Sequence, residues 1–298
     1  MRVKRRINEN FWGWLFVLPT VTGLIILNIY PIFRTIWQSF HRIGDFGIGN
    51  EFVGLMNYTR LFSGGPGGGG AIWQATFNTL FYTALEVPAS IAIGLILAVF
   101  LNGKIHGRTT FRTIFFLPMV AAPAAIAMIW LWLFNPQYGL INNLFGIGIH
   151  WVTDGSIAIY SLALIGIWSV IGYNMILFLA GLQNIPKDYY EASAIDGATG
   201  IRQFFKITLP LISPMLFFVT VTRVMAAMQI FDTIFMVIGV AGNPAIGRTQ
   251  SLVFLFYRQA FMERNWGQGA AVVVWLMLLI GVITVCQLIA QKKWVHYE

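Results

Sequence analysis

Six apolar runs, each long enough to cross a bilayer, limit what this chain can become. They lie at about Phe11–Phe33, Phe77–Leu101, Phe111–Phe134, Ile157–Leu182, Leu211–Val240 and Gln268–Ala290. A helix rises about 1.5 Å per residue, so roughly 20 apolar residues cross about 30 Å of hydrocarbon. In that solvent every backbone N–H and C=O must be bonded internally, which leaves helices and closed barrels. Runs of this length suit helices. The expectation is an all-α, polytopic membrane protein with six transmembrane helices. Charge agrees: 10% of the residues are charged, against about 25% in a soluble domain. The first run follows Arg2, Lys4, Arg5 and Arg6. It exceeds the roughly 7–15 apolar residues of a signal peptide and lacks a small-residue cleavage site, so it reads as a retained span. Pro19 and Pro31 mark candidate bends in it.

The net charge of +8 is explained by placement, and nucleic acid is not expected as a partner. Lys and Arg accumulate on the cytoplasmic side of membrane proteins. With the N-terminus inside, twelve fall in inner segments, among them Lys104, Arg108, Arg112, Lys187, Arg202, Lys206, Lys292 and Lys293. Five fall outside: Arg42, Arg60, Arg248, Arg258 and Arg264. Both termini are therefore expected in the cytoplasm. The single cysteine, Cys286, lies in an apolar run and gives no disulfide framework.

One polar stretch, Ile185–Pro210, interrupts this pattern. Pro186 and Asp188 suit the first turn of a helix, where a proline loses no bond and a carboxylate favours the dipole. Glu191, Ala192, Ser193 and Ala194 continue it. Asp196-Gly197 breaks it, because glycine supplies the positive φ of a sharp turn. A second helix is expected over Ile201–Ile207. The charge bias puts the pair in the cytoplasm. A plain helical connection between two spans would read the same way.

Glu191-Ala192, Gly197 and Ile207-x-Leu209-Pro210 resemble the E-A-A loop of binding-protein-dependent ABC importer permeases. Six residues separate Glu191 from Gly197, and twelve more lead to Leu209. Ser193 departs from the motif, standing where a second alanine is usual. Three further runs resemble the carbohydrate branch, of the maltose and glycerol-phosphate importer type. These are Phe52-Val53-Gly54-Leu55-x-Asn57-Tyr58, Arg112-Thr113-x-Phe115-Phe116-Leu117-Pro118 and Phe134-Asn135-Pro136-x-x-Gly139-Leu140-x-Asn142. The resemblance covers nearly the whole chain. It implies a type I ABC importer permease core, MetI-like, in the bacterial or archaeal cytoplasmic membrane. It also implies that Glu191, Ala192, Ser193, Asp196 and Gly197 couple to an ATPase. The implied partners are a second homologous permease, two ABC ATPases and an extracellular solute-binding protein that delivers a carbohydrate. ATP and Mg would belong to the ATPase, with no cofactor in this chain. The expected division is 1–76 (cytoplasmic segment, first span, first outer loop), 77–290 (five-helix core with the coupling loop at 185–210) and 291–298 (cytoplasmic tail).

No chemistry of the chain's own is evident. There is no G-x-x-x-x-G-K-[ST] and no H-E-x-x-H. His41, His106, His150 and His296 lack ligand spacing. The glycine-rich run Ser63–Gly70 has no following Lys-Ser or Lys-Thr, so it reads as a flexible turn rather than a phosphate loop. Polar side chains at membrane depth are costly and so are functional candidates. The fourth run carries Trp168, Ser169, Tyr173 and Asn174, and the fifth carries Arg223, Gln229 and Asp232. Amides, carboxylates and aromatic rings are the groups that bind sugars. The resemblance places Tyr173, Gln229 and Asp232 where the family's cavity residues lie, with glutamine and aspartate replacing asparagines. The expected cavity set is Trp168, Tyr173, Asn174, Gln229 and Asp232, with Gln229 and Asp232 on one helical face. Packing is the alternative for Trp168 and Tyr173, and a bond to a partner helix for Gln229 and Asp232. Glu86, in the second run, is read as bonding across a subunit interface. Rival functions are a permease for glycerol phosphate, an amino acid or phosphate, a secondary transporter, an intramembrane enzyme and a membrane scaffold.

Overall fold

The computed structural model describes residues 2–43, 50–63, 69–103, 106–239 and 242–295. Residues 64–68 of the glycine-rich run, Lys104 and His296 lie outside them. The described chain is helical apart from one short hairpin, and it divides into two compact units.

The first unit comprises Met1–Gly69 and Phe256–Trp275. Helix α1 (Arg2–Leu24) runs through Pro19 without a break. Five π-helical residues, Ile25–Ile29, then lead into α2 (Tyr30–Ser39). Pro31 has no N–H to return to the preceding turn, and the π-turn absorbs that lost bond locally. The first span is therefore longer than the sequence suggested, Phe11–Ser39, and its most apolar window has no buried residue. Strands β1 (His41–Ile43) and β2 (Asn50–Phe52) pair antiparallel, with His41 opposite Phe52. Helix α3 (Met56–Ser63) follows. The Asn57 amide donates to the Ser39 and His41 carbonyls at 2.8 and 3.0 Å. The Tyr58 and Ser39 hydroxyls meet at 2.6 Å. The Phe52–Tyr58 motif thus fastens this loop to the end of α2.

The second unit comprises Gly70–Leu255 and Leu276–Glu298. Its elements are α4 (Gly69–Asn102), α5 (Arg108–Val120), α6 (Pro123–Leu133), α7 (Leu140–Phe145), α8 (Ala158–Gln183), α9 (Lys187–Ile195), α10 (Gly200–Gln203), α11 (Leu209–Leu211), α12 (Ser213–Met228), α13 (Asp232–Val237), α14 (Ile246–Thr249) and α15 (Leu252–Tyr257). The last helix, α16 (Trp266–Trp294), begins in the first unit and ends in the second. Helix α8 contributes to two buried clusters of this unit. One gathers Trp130, Phe134, Leu162, Ile165, Ile234 and Phe254. The other gathers Leu95, Met175, Phe178, Leu182, Ile212 and Val219. Between apolar helices in lipid, small residues permit the close approach that dispersion needs. A Cβ at Gly172 would overlap the Phe115 carbonyl of α5, and one at Gly94 would lie 2.8 Å from the Asn174 Cβ.

Among the described residues, four helices are unbroken and long enough to cross a membrane, or up to six spans if each of two bent pairs counts once. The third expected span, Phe111–Phe134, breaks by 101° between α5 and α6. Ala121 and Ala122 are extended; Ala122 precedes proline, which pushes it out of the helical region, and Pro123 then opens α6. The fifth, Leu211–Val240, bends by 67° at Ile212, between Pro210 and Pro214. It breaks again over Gln229–Phe231.

Candidate functional site

The polar stretch forms the expected helix–turn–helix. Pro186 caps α9 in an extended conformation, and Asp188 lies in its first turn. Gly197 has φ +73°, so the turn needs a residue free of the Cβ penalty. The return limb is α10, then π-helical Phe204–Thr208, then α11, so the expected Ile201–Ile207 helix is wound unevenly.

Side chains lock the two limbs together. Gln203 Nε2 donates to Ser193 Oγ at 2.9 Å and to the Tyr190 carbonyl at 3.3 Å. Ser193 Oγ itself donates to the Tyr190 carbonyl at 2.9 Å. The Tyr190 and Thr208 hydroxyls meet at 3.0 Å. Ser193, the departure from the E-A-A motif, is thus the acceptor that ties the limbs, a role alanine cannot fill. No residue of α9 is buried. Glu191, Ala192, Asp196 and Gly197 are all exposed, with Ser193 half-buried. Ile195, Ile201 and Phe205 are 87%, 76% and 61% exposed. An apolar tip on an otherwise polar connection is a surface that a protein partner would cover.

The intramembrane candidates separate. Asn174 is fully buried and donates to Ser90 Oγ at 3.2 Å, so it joins α8 to α4 and lines no open surface here. Trp168 sets its edge on Trp130, with ring centroids 5.7 Å apart, and packs on the cluster that holds Trp130 and Phe134. Tyr173 is half-buried. Ser169 bonds back to the Ile165 carbonyl at 2.8 Å.

Gln229 and Asp232 are both exposed but do not share one helical face, because the helix ends between them. Ser251 Oγ donates to the Ile230 carbonyl at 2.6 Å, and Phe231 leaves helical geometry at φ −138°. Gln229 turns back to the Met225 carbonyl at 2.9 Å, and Asp232 opens α13. That break depends on a hydroxyl 21 residues downstream, and no proline or glycine announces it.

Glu86 pairs within the chain rather than across a subunit boundary. Its Oε1 accepts from Arg223 Nη2 at 2.6 Å, joining α4 to α12. Sequence reasoning singled out both residues but not the pair, which closes 137 positions of chain.

Residues 90–294 match the profile of the family described as binding-protein-dependent transport system inner membrane component. The chain belongs to this family. It is a permease component, and the family places it in the inner membrane. The sn-glycerol-3-phosphate transport system permease protein UgpA of Yersinia pestis is 35% identical over 289 residues, covering 96% of this chain and 95% of that one. The probable ABC transporter permease protein YesP of Bacillus subtilis is 32% identical over 305 residues, covering 100% and 96%. Among solved structures, a permease fold from a bacterial ABC transporter that imports the acidic polysaccharide alginate superposes with a TM-score of 0.84. It is 19% identical and covers 98% of this chain and 99% of that one.

Proposed function

We propose that this permease forms the membrane path of an ATP-driven importer for an uncharged carbohydrate handed over by an extracellular binding protein. The exposed apolar tip of the 185–210 loop carries the reading. It is held stiffly by the Ser193–Gln203 and Tyr190–Thr208 bonds and has no cover among the described residues. A separate ATPase is the partner this surface fits. Closing of the ATPases on ATP would push on Glu191–Gly197, and α12, which continues from the loop, would carry the motion into the spans. A binding protein would dock on the outer loops, the cavity would open to it, and hydrolysis would reset the path inward. The chain itself does no hydrolysis in this scheme. A second permease would complete the path, and both termini would lie in the cytoplasm with the coupling loop.

Glycerol phosphate is the competing solute, suggested by the name of the UgpA relatives. The charges favour a neutral sugar. Arg223, the cation at membrane depth on the fifth span, is already neutralised by Glu86, and the exposed charge beyond it is the Asp232 carboxylate. The test is co-expression with the neighbouring genes, purification, and uptake by vesicles against a panel of neutral, acidic and phosphorylated solutes. ATP-dependent uptake of one neutral oligosaccharide is the expected result. Preferential uptake of a phosphorylated solute would select the rival, and uptake without ATP would return a secondary transporter to first place.

A further inference from the structure

We propose that the Glu86–Arg223 pair, together with the Asn174–Ser90 bond one turn along α4, is a strut that makes the second, fourth and fifth spans move as one body when the coupling loop moves. The inference rests on the importer reading and adds positioning residues to it.

The pair is poorly built for stability alone. Glu86 has 0% of its side chain exposed and Arg223 14%. The contact is one-legged: Glu86 Oε2 and Arg223 Nε are buried and have no partner among the described residues. An arginine–carboxylate pair optimised for strength is usually two-legged. Burying charges with hydrogen bonds left unmade is costly, and apolar replacements of the pair are often as stable or more so. What the pair supplies is direction. In lipid, apolar helix faces have no hydrophobic drive to stay in register. A short charge-assisted bond resists sliding where packed methyl groups resist it weakly.

Its position puts it on the path from the loop. The return limb Gly200–Leu211 bends at Ile212 directly into α12. Arg223 lies ten residues past Ser213, about 15 Å along α12. There it meets Glu86 on α4. Ser90 sits one turn further along α4, where its hydroxyl donates to the Val87 carbonyl at 3.2 Å and accepts from Asn174 of α8 at 3.2 Å. Motion entering α12 thus meets two polar joints on α4, Glu86 to Arg223 of α12 and Ser90 to Asn174 of α8, before it can shear α12 past α4 or α8. The carboxylate is wholly buried, so a solute would not reach it.

The test uses the assembled transporter with Cys286 replaced by serine. Spin labels at Phe100 of α4 and Phe218 of α12, both exposed, report the distance between the second and fifth spans without nucleotide and with ATP trapped. The expected result is one unchanged distance in both states, and a distance that changes with ATP in the double variant Glu86→Met/Arg223→Met. That variant, free of buried charge, should assemble and hydrolyse ATP while uptake per ATP falls about five-fold or more. Full uptake per ATP in the double variant overturns the proposal, since the pair would then be packing alone. If the double variant does not assemble, the labels in the native-pair transporter decide: a constant distance supports the strut and a changing one overturns it. Failure of the importer reading shows separately, as absence of ATP-driven uptake by the unmodified complex.

Discussion

Gly197 and Ser193 carry the shape of the turn within 185–210 for different reasons. Gly197 sits at φ +73°, where an L side chain costs about 1–2 kcal/mol and proline, fixed near −65°, cannot sit at all. Gly197→Pro is therefore expected to leave membrane insertion intact and abolish ATPase binding, read by co-purification. Full uptake by this variant would remove the coupling role. Ser193 acts through its hydroxyl, and Ser193→Ala forfeits a bond worth about 1 kcal/mol. Amide hydrogen exchange in α9 should then rise about five-fold, and Ser193→Thr should restore much of the protection. Asp154, in the loop before α8, is held below the usual carboxylate range by the Ser156 hydroxyl and then by the Ser156 N–H, both donating to Oδ1. A lowered folded pKa means stabilisation present above the unfolded carboxylate range and lost as pH falls through the lowered value. Asp154→Asn should therefore flatten the acid limb of thermal stability and matter least at the acid end. An unchanged limb would show that this turn does not couple to unfolding.

At the scale of elements, α8 is the helix around which the second unit packs, and glycine permits its closest contacts. Gly172 lets the α5 backbone lie against it. Gly172→Ala should push α5 away and cost about 1–3 kcal/mol as overpacking, seen as a lower thermal midpoint in detergent. An unaltered midpoint would mean that the two helices separate freely. The broken third and fifth spans differ in how far they were legible. The break at Ala121–Ala122 is written locally, in Pro118 and Pro123. The break at Gln229–Phe231 is written in Ser251 and appears only once α12 and the segment before α15 are brought together. The motif residues Asn57, Asn135, Gly139 and Asn142 also prove to be structural. Asn142 ties Ile149 and Trp151 into one corner, at 2.9 and 2.7 Å. Asn135 Oδ1 accepts the N–H groups of Gln137 and Tyr138 at 2.9 and 3.1 Å.

For the whole molecule, the distribution of Lys and Arg fixes an expected orientation that labelling can test. In a Cys286→Ser background, Tyr138→Cys should react with a membrane-impermeant maleimide added outside intact cells. Ile195→Cys should react only after permeabilisation. The reverse pattern would invert the topology and take the coupling surface away from ATP. Glu191→Lys should preserve insertion and this labelling pattern while releasing the ATPase. The bare apolar length of the first span suits a lipid environment, and the exposed tip of the loop is the surface that the proposed ATPase would cover.

The sequence by itself determined what depends on neighbours along the chain. The length of its apolar runs set the membrane class, the placement of Lys and Arg set an expected orientation, and Pro186, Asp188 and Gly197 set a helix, a turn and a return. It also carried the family, through Glu191-Ala192, Gly197 and Leu209-Pro210. Tertiary structure alone decided which polar side chains at membrane depth face each other. Glu86 and Arg223 are 137 positions apart, and Ser90 and Asn174 are 84. Helical periodicity says which residues share a face but not which face meets which helix. That choice is made by long-range packing, and it turned Asn174 from a candidate cavity residue into an inter-helix bond and divided Gln229 from Asp232.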